Sequence, residues 1–290
     1  MKKLGLLTAV FTLALMAYSI PAQAIPSLHG GPLFAQFANR EQISASGSIV
    51  APSGFMESNW GVAIVSNISE GVFGDPQNFD PASSSYWEND GSDGQVTAIW
   101  GHVMANPGDG SVPLASSGGS MYLYWDNTTV ADLATATVAD RTGDFTFTNF
   151  TDGTLLAKID FLAGAITPDP LTTIAGSVIP TAGGFTGVAN LFANVDLAAG
   201  GLWATLLDTN YFNSLLGLGT ADMKLRTIYE STGSHPWDDP GAGVSNDIFG
   251  AQSTDPLRAY VVPEPSTIVL LGMGLLGAGF VARRRNKKKA

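Results

Sequence analysis

Cysteine is absent from the chain. That excludes disulfide staples, thiolate nucleophiles and sulfur-bound metals. Cations are nearly as scarce through most of its length. Of fourteen Lys and Arg, two stand in the first 24 residues and six after Pro265, so residues 25–262 hold six cations against 24 carboxylates. A body with a formal charge of −18 repels nucleic acid and anionic headgroups, and suits either the attraction of divalent cations or solubility alone. Histidine occurs three times, at His29, His102 and His235. They lie far apart, with no H-E-x-x-H pair, so a zinc site has no local signature. His102, after Trp100 and Gly101 on an expected strand, reads as a hydrogen-bonded structural residue. His235, inside Ser234–Asp239, has the more polar setting. No G-x-S-x-G elbow or Walker loop occurs in residues 25–262. Glycoside hydrolysis needs a pair of carboxylates, but nothing singles out one pair among 24. A non-enzymatic role is the expectation.

Helical periodicity is equally rare. Tyr211, Phe212, Leu215 and Leu216 share one face between a cap at Asp208 or Thr209 and Gly217. The rest alternates with period two. Phe145–Thr148 alternates strictly. Leu155, Ala157, Ile159 and Phe161 share a face, as do Ala189, Leu191, Ala193, Val195 and Leu197, and Met223, Leu225, Thr227 and Tyr229. Gly47–Ala51, Trp60–Asn67, Gln95–Val103 and Ser120–Trp125 are further strand candidates. Asp-Gly at 90–91, 109–110 and 152–153 and Asp-Pro at 75–76, 80–81, 169–170, 239–240 and 255–256 read as turns. Many short strands without an internal repeat predict a mainly β body, an antiparallel β-sandwich or jelly roll, over residues 25–262. Gly71–Gly94 and Gly233–Thr254 are loop-like and mark candidate boundaries.

The two ends differ from this body. Residues 1–24 read as a secretory signal peptide: Lys2 and Lys3, an uncharged core from Leu4 to Tyr18, and Ala22-Gln23-Ala24 as an A-x-A cleavage site. The Sec translocon and signal peptidase are the implied partners, with a mature start at Ile25. At the other end, Pro263-Glu264-Pro265 precedes an apolar run of 17 residues, 266–282, and then Arg283-Arg284-Arg285-Asn286-Lys287-Lys288-Lys289. As a helix the run is about 25 Å long, at the short end of what spans a bilayer, with the cations expected on the cytoplasmic side of the inner membrane. Gly272-Met273-Gly274-Leu275-Leu276-Gly277 fits a dinucleotide fingerprint. Inside an apolar span, its glycines suit close helix packing better.

Motif, span and basic end in this order resemble the PEP-CTERM sorting signal of Gram-negative bacteria that export polysaccharide. The residues that carry the likeness are Val262-Pro263-Glu264-Pro265-Ser266-Thr267 and the glycine-rich Leu270–Gly277. The resemblance implies presentation of Pro263, Glu264 and Pro265 to an exosortase, a membrane-embedded transpeptidase-like enzyme that cuts near the motif. It also implies a final place at the cell surface or in the extracellular matrix, beside exopolysaccharide. A looser likeness to other such proteins covers 152–260: a strand pair, then Leu207-Asp208-Thr209-Asn210, then a strand at Ala221-Asp222. It brings no catalytic residues.

Two kinds of ligand group stand out. Glu88, Asp90, Ser92 and Asp93 place oxygens around Gly91 and Gly94, as a calcium loop requires, although no acid closes an EF-hand pattern. The plain alternative is a solvated turn. Asp238, Asp239, Asn246 and Asp247 form a weaker candidate. Tyr86, Trp87 and Trp237 stand beside these acidic loops and would suit a sugar-stacking platform if exposed; the alternative is that the rings fold back onto the core.

Overall fold

The structure is a computed structural model and describes residues 25–44, 46–72, 80–92, 94–182, 184–216, 219–232, 235–238 and 247–261. Residues 1–24, expected to be a signal peptide, and the tail from 262 onward lie outside the described residues. Among those described, no helix is long and apolar enough to cross a membrane. The strands are β1 (Gly31–Ser44), β2 (Ile49–Val50), β3 (Met56–Glu57), β4 (Asn59–Val72), β5 (Asp80–Glu88), β6 (Gln95–Ala105), β7 (Leu114–Asp126), β8 (Arg141–Gly143), β9 (Thr146–Phe147), β10 (Thr154–Phe161), β11 (Thr172–Thr181), β12 (Gly184–Val195), β13 (Met223–Thr232) and β14 (Ile248–Val261). Ala204–Leu207 and Tyr211–Leu216 are short helices.

The mainly β, antiparallel expectation holds. A sandwich, however, has two sheets, and here ten strands share one. The order runs β1-β14-β13-β12-β10-β7-β6-β4, and β1 pairs again with β4. Residues 33–43 of β1 face β14 along one edge and β4 along the other, so the ladder closes into a ring. β10 and β11 share one place in it: β10 joins the ends of β7 and β12 that hold Trp125 and Val195, and β11 joins the opposite ends. Closure removes sheet edges, the standing aggregation hazard of β proteins.

The ring has a filled end and an open end. At the filled end, inward positions carry large side chains, including Phe37, Val65, Ile68, Leu123, Trp125 and Leu257, all buried in one cluster. Each such side chain stabilises by about 1.5–3 kcal/mol. Trp203, Leu206 and Leu207 join this cluster, held in place by Trp203 N–H donating to Leu156 O at 2.8 Å. The open end takes Ile43 of β1, Asn59 of β4, Ala105 of β6 and Leu114 of β7, which the register brings together. Val261 and Gly31, paired with each other, lie at the filled end.

The outer face of β4, β6 and β7 is covered as well. Trp60, Val62 and Ile99 pack against Ala131, Ala136, Phe147, Phe150 and Trp237. β6 is therefore buried on both sides from Gln95 to Gly101. A second outer cluster joins Phe192 of β12 to Phe212 and Ala221. Several local expectations change. Leu197 is 49% exposed rather than part of the β12 face. In β10 the register shifts between Leu155 and Ala157, so Leu156 turns inward beside Ala157, Ile159 and Phe161 while Leu155 is only half-buried. Asp255-Pro256 is no turn. Pro256 pairs with Gln36 inside β14, where the ladder to β13 is interrupted between Leu225 and Tyr229, so its missing N–H removes no rung. Part of the loop-like stretch 71–94 is β5, paired with the end of β4, and the second candidate loop gives way to β14 at Ile248.

Candidate functional site

Trp237 does not form an exposed platform. It is fully buried, stacked on Trp60 at 5.1 Å and on Phe147 at 6.0 Å, with its indole N–H donating to Ala136 O at 2.8 Å. The outer cluster offered it more apolar area than solvent allowed. Tyr86 and Trp87 are half-buried against the main cluster. Tyr86 stacks on His29 at 4.1 Å, and Trp87 meets Trp125 edge-on at 6.3 Å. Burial pushes the Tyr86 phenol well above its ordinary pKa. Neither ring shares a surface with Trp237.

The acidic loop is turned on itself. Asp90 Oδ1 accepts the Ser92 N–H at 2.9 Å and the Ser92 hydroxyl at 2.6 Å, and these bonds hold the carboxyl below its usual range. Glu88 is exposed at the end of β5, pairing with Asn67, and Asp93 lies outside the described residues. Among the described residues no group of three or more His, Asp or Glu is placed to hold a metal. In the weaker candidate, Asp247 accepts from Ser44, Ser46 and Ser48, while Asp238 accepts the N–H of His235 and of Gly250. Asp239 and Asn246 lie outside the described residues.

His102 sits in a more elaborate setting than its sequence signal announced. Its backbone is left-handed, with φ of 58°, where the ladder between β4 and β6 shifts register. Its N–H donates to Glu57 Oε2 at 2.8 Å, and Glu57 forms a buried ion pair with Arg141. Its ring lies near Phe55 and Phe145, with Nε2 at 2.7 Å from Asp144 Oδ2. Burial works against the Asp144 carboxylate, but Ser53 and His102 outweigh it and hold the pKa at about 2. Ser53 and His102 both bind the same carboxylate oxygen. The imidazole is therefore not interposed between hydroxyl and acid, as nucleophile activation requires. The arrangement locks the loops over β6 and leaves no activated nucleophile.

The open half of the ring encloses a cavity of about 610 Å³. Trp100, Met121, Phe161 and Leu191 are deeply placed in its wall, and Phe185 and Phe249 stand nearer solvent. Its polar groups are few. Trp100 Nε1 donates to Asn59 Oδ1 at 2.7 Å, and Asn59 Nδ2 donates to Glu41 Oε2 at 2.7 Å. Tyr229 donates its hydroxyl to Ser177 O at 2.9 Å, and burial raises its pKa, with the Glu41 charge adding to the effect. Asp109 of the β6–β7 loop accepts from Ser111, Thr167 and Thr172, which lowers its pKa to about 2. Sequence reasoning missed this cavity, because it is made by inward positions of nine strands and by no local motif.

The segment that leaves the ring after β14 carries the family signal. Residues 261–285 match the family model of the PEP-CTERM protein-sorting motif. No curated protein and no solved structure matches the chain.

Proposed function

We propose that this chain, which carries a PEP-CTERM sorting motif, is exported through the Sec translocon and held in the inner membrane by residues 266–282. An exosortase then processes it and delivers it to the cell surface or extracellular matrix. Its role there is structural or adhesive, in contact with exopolysaccharide, and not catalytic. The observation that carries this reading is the match over residues 261–285, which begins on Val261, the last residue of β14. The sorting signal thus starts at the last described residue of β14. An acidic, closed barrel suits a crowded external matrix, since net charge limits self-association and closure leaves few free edges. In this scheme the apolar run and basic end supply insertion and orientation, while Pro263-Glu264-Pro265 supplies recognition.

The test is Glu264→Ala. Insertion should be unaffected, because the span and its basic flank are untouched. The variant should accumulate uncleaved in the inner membrane and be lost from the matrix fraction. Equal mature mass and equal matrix fraction for variant and parent would make the tail an ordinary anchor and sink the reading.

A further inference from the structure

We propose that the open half of the barrel binds one neutral, apolar, ring-bearing small molecule, entering from the end opposite the sorting tail. The volume of about 610 Å³ lies within the range of small-molecule sites and far above a packing void. It exists because inward positions change size along the ring. Where the filled end has Leu, Phe and Trp, the open end has Ala105, Ser116, Ala189 and Thr227. An eight-position ring fills itself when those positions carry large side chains and holds a ligand when they do not. The walls offer aromatic faces from Trp100, Phe161, Phe185, Tyr229 and Phe249, which favour a flat or ring-bearing body.

The polar groups select by charge. The Trp100 and Tyr229 donors are already engaged, on Asn59 and on Ser177. The acidic groups in the lining, Glu41 and Asp109, are acceptors, and the lining cation, Arg226, is solvent-exposed. Both carboxylates are already engaged, Asp109 by Ser111, Thr167 and Thr172 and Glu41 by Asn59, so the lining keeps its negative charge and presents no cation to balance an anionic guest inside. Such a guest meets two carboxylates in a low-dielectric wall and is rejected. The direction of entry follows from register. Val261, where the sorting motif begins, is at the filled end, whereas Leu114, Phe249 and Phe185 are at the other. A ligand therefore arrives from the medium and not along the tail.

The probe is N-phenyl-1-naphthylamine, neutral and ring-bearing, added to the full chain in lipid nanodiscs. Energy transfer from tryptophan reads its arrival near the barrel. A saturable component of one dye per chain is expected, weakened about tenfold by Ala189→Phe, which fills the cavity. Val178→Phe, at a mouth position that is 40% exposed, should weaken it in the same direction without loading the core, and covers the case in which Ala189→Phe fails to fold. 1-Anilinonaphthalene-8-sulfonate, with the same rings plus a sulfonate, should bind at least about tenfold less tightly. No saturable transfer, equal binding by Val178→Phe and parent, or equal affinity for the two dyes would each overturn the proposal. None of these readouts depends on how the tail is processed.

Discussion

Trp237 and Trp60 stack with ring centroids 5.1 Å apart and 25° between their planes, although one follows β13 and the other begins β4. The contact ties the end of the chain's body to the outer face of its first half. Trp237→Ala should lower the unfolding free energy by about 3–5 kcal/mol, the range for a large aromatic removed from a packed site. Urea denaturation with an unchanged m-value checks this. A loss below about 1 kcal/mol would show that the ring contributes little to the core.

Asp222 gathers three backbone donors: Val195 N–H at 2.8 Å, Thr209 N–H at 2.7 Å and Asn210 N–H at 2.6 Å. Burial raises its pKa, and those three bonds oppose the rise. Asp222→Asn would turn an amide donor toward a backbone donor. It should cost about 1–3 kcal/mol and speed hydrogen exchange at Thr209 and Asn210. Unchanged exchange at those two amides would contradict the role.

Acid should unfold the chain in two recognisable contributions. Asp109 and Asp144 both have folded pKa values of about 2, below the ordinary 3.8. A depressed carboxylate adds stability that is complete above the unfolded value and vanishes as pH falls through the folded one. Melting temperature should therefore fall between about pH 4 and pH 2. Asp109→Asn should lower it at neutral pH and flatten that decline. A variant whose acid limb parallels the parent's would rule out the linkage.

Gly187 allows Tyr229 to lie across β12. A Cβ there would stand 2.3 Å from the tyrosine ring and 2.3 Å from Ser177 O. Gly187→Ala should destabilise by about 1–3 kcal/mol through overpacking. It should also break the Tyr229 bond to Ser177, which a downward shift of the phenol titration toward its ordinary value would report. No change in that titration would mean the ring does not rest there.

Much of the barrel is legible in the sequence, and the unread parts have physical causes. β12 and β13 announce themselves through Ala189, Leu191, Ala193 and Val195 and through Met223, Leu225 and Tyr229, because each has one dry face and a wetter one. β1 hides because Asn39 and Glu41 occupy inward positions that its alternation reserves for apolar residues, and both are buried. β14 hides behind Asp255-Pro256, which, like Asp80-Pro81 at the start of β5, reads as a turn but is paired within a strand. These two strands close the ring, so missing them makes a barrel read as a sandwich. The sequence around Trp237 leaves both an exposed platform and a ring folded onto the core open, because its neighbours are polar; what buries it is a loop about a hundred positions away, around Ala136. The sorting motif is the opposite case, a continuous stretch whose meaning is local, and it is read at once.

The place of β14 gives the barrel a direction under tension. It is flanked by β1 and β13, both antiparallel to it, and the sorting motif leaves its C-terminal end. A force applied to that end along the strand axis would be shared by both neighbours. The rungs of β14 are then loaded side by side in shear and do not open one after another as in a zipper. Under such a load, the strand on which the sorting motif begins is a grip that must fail all at once.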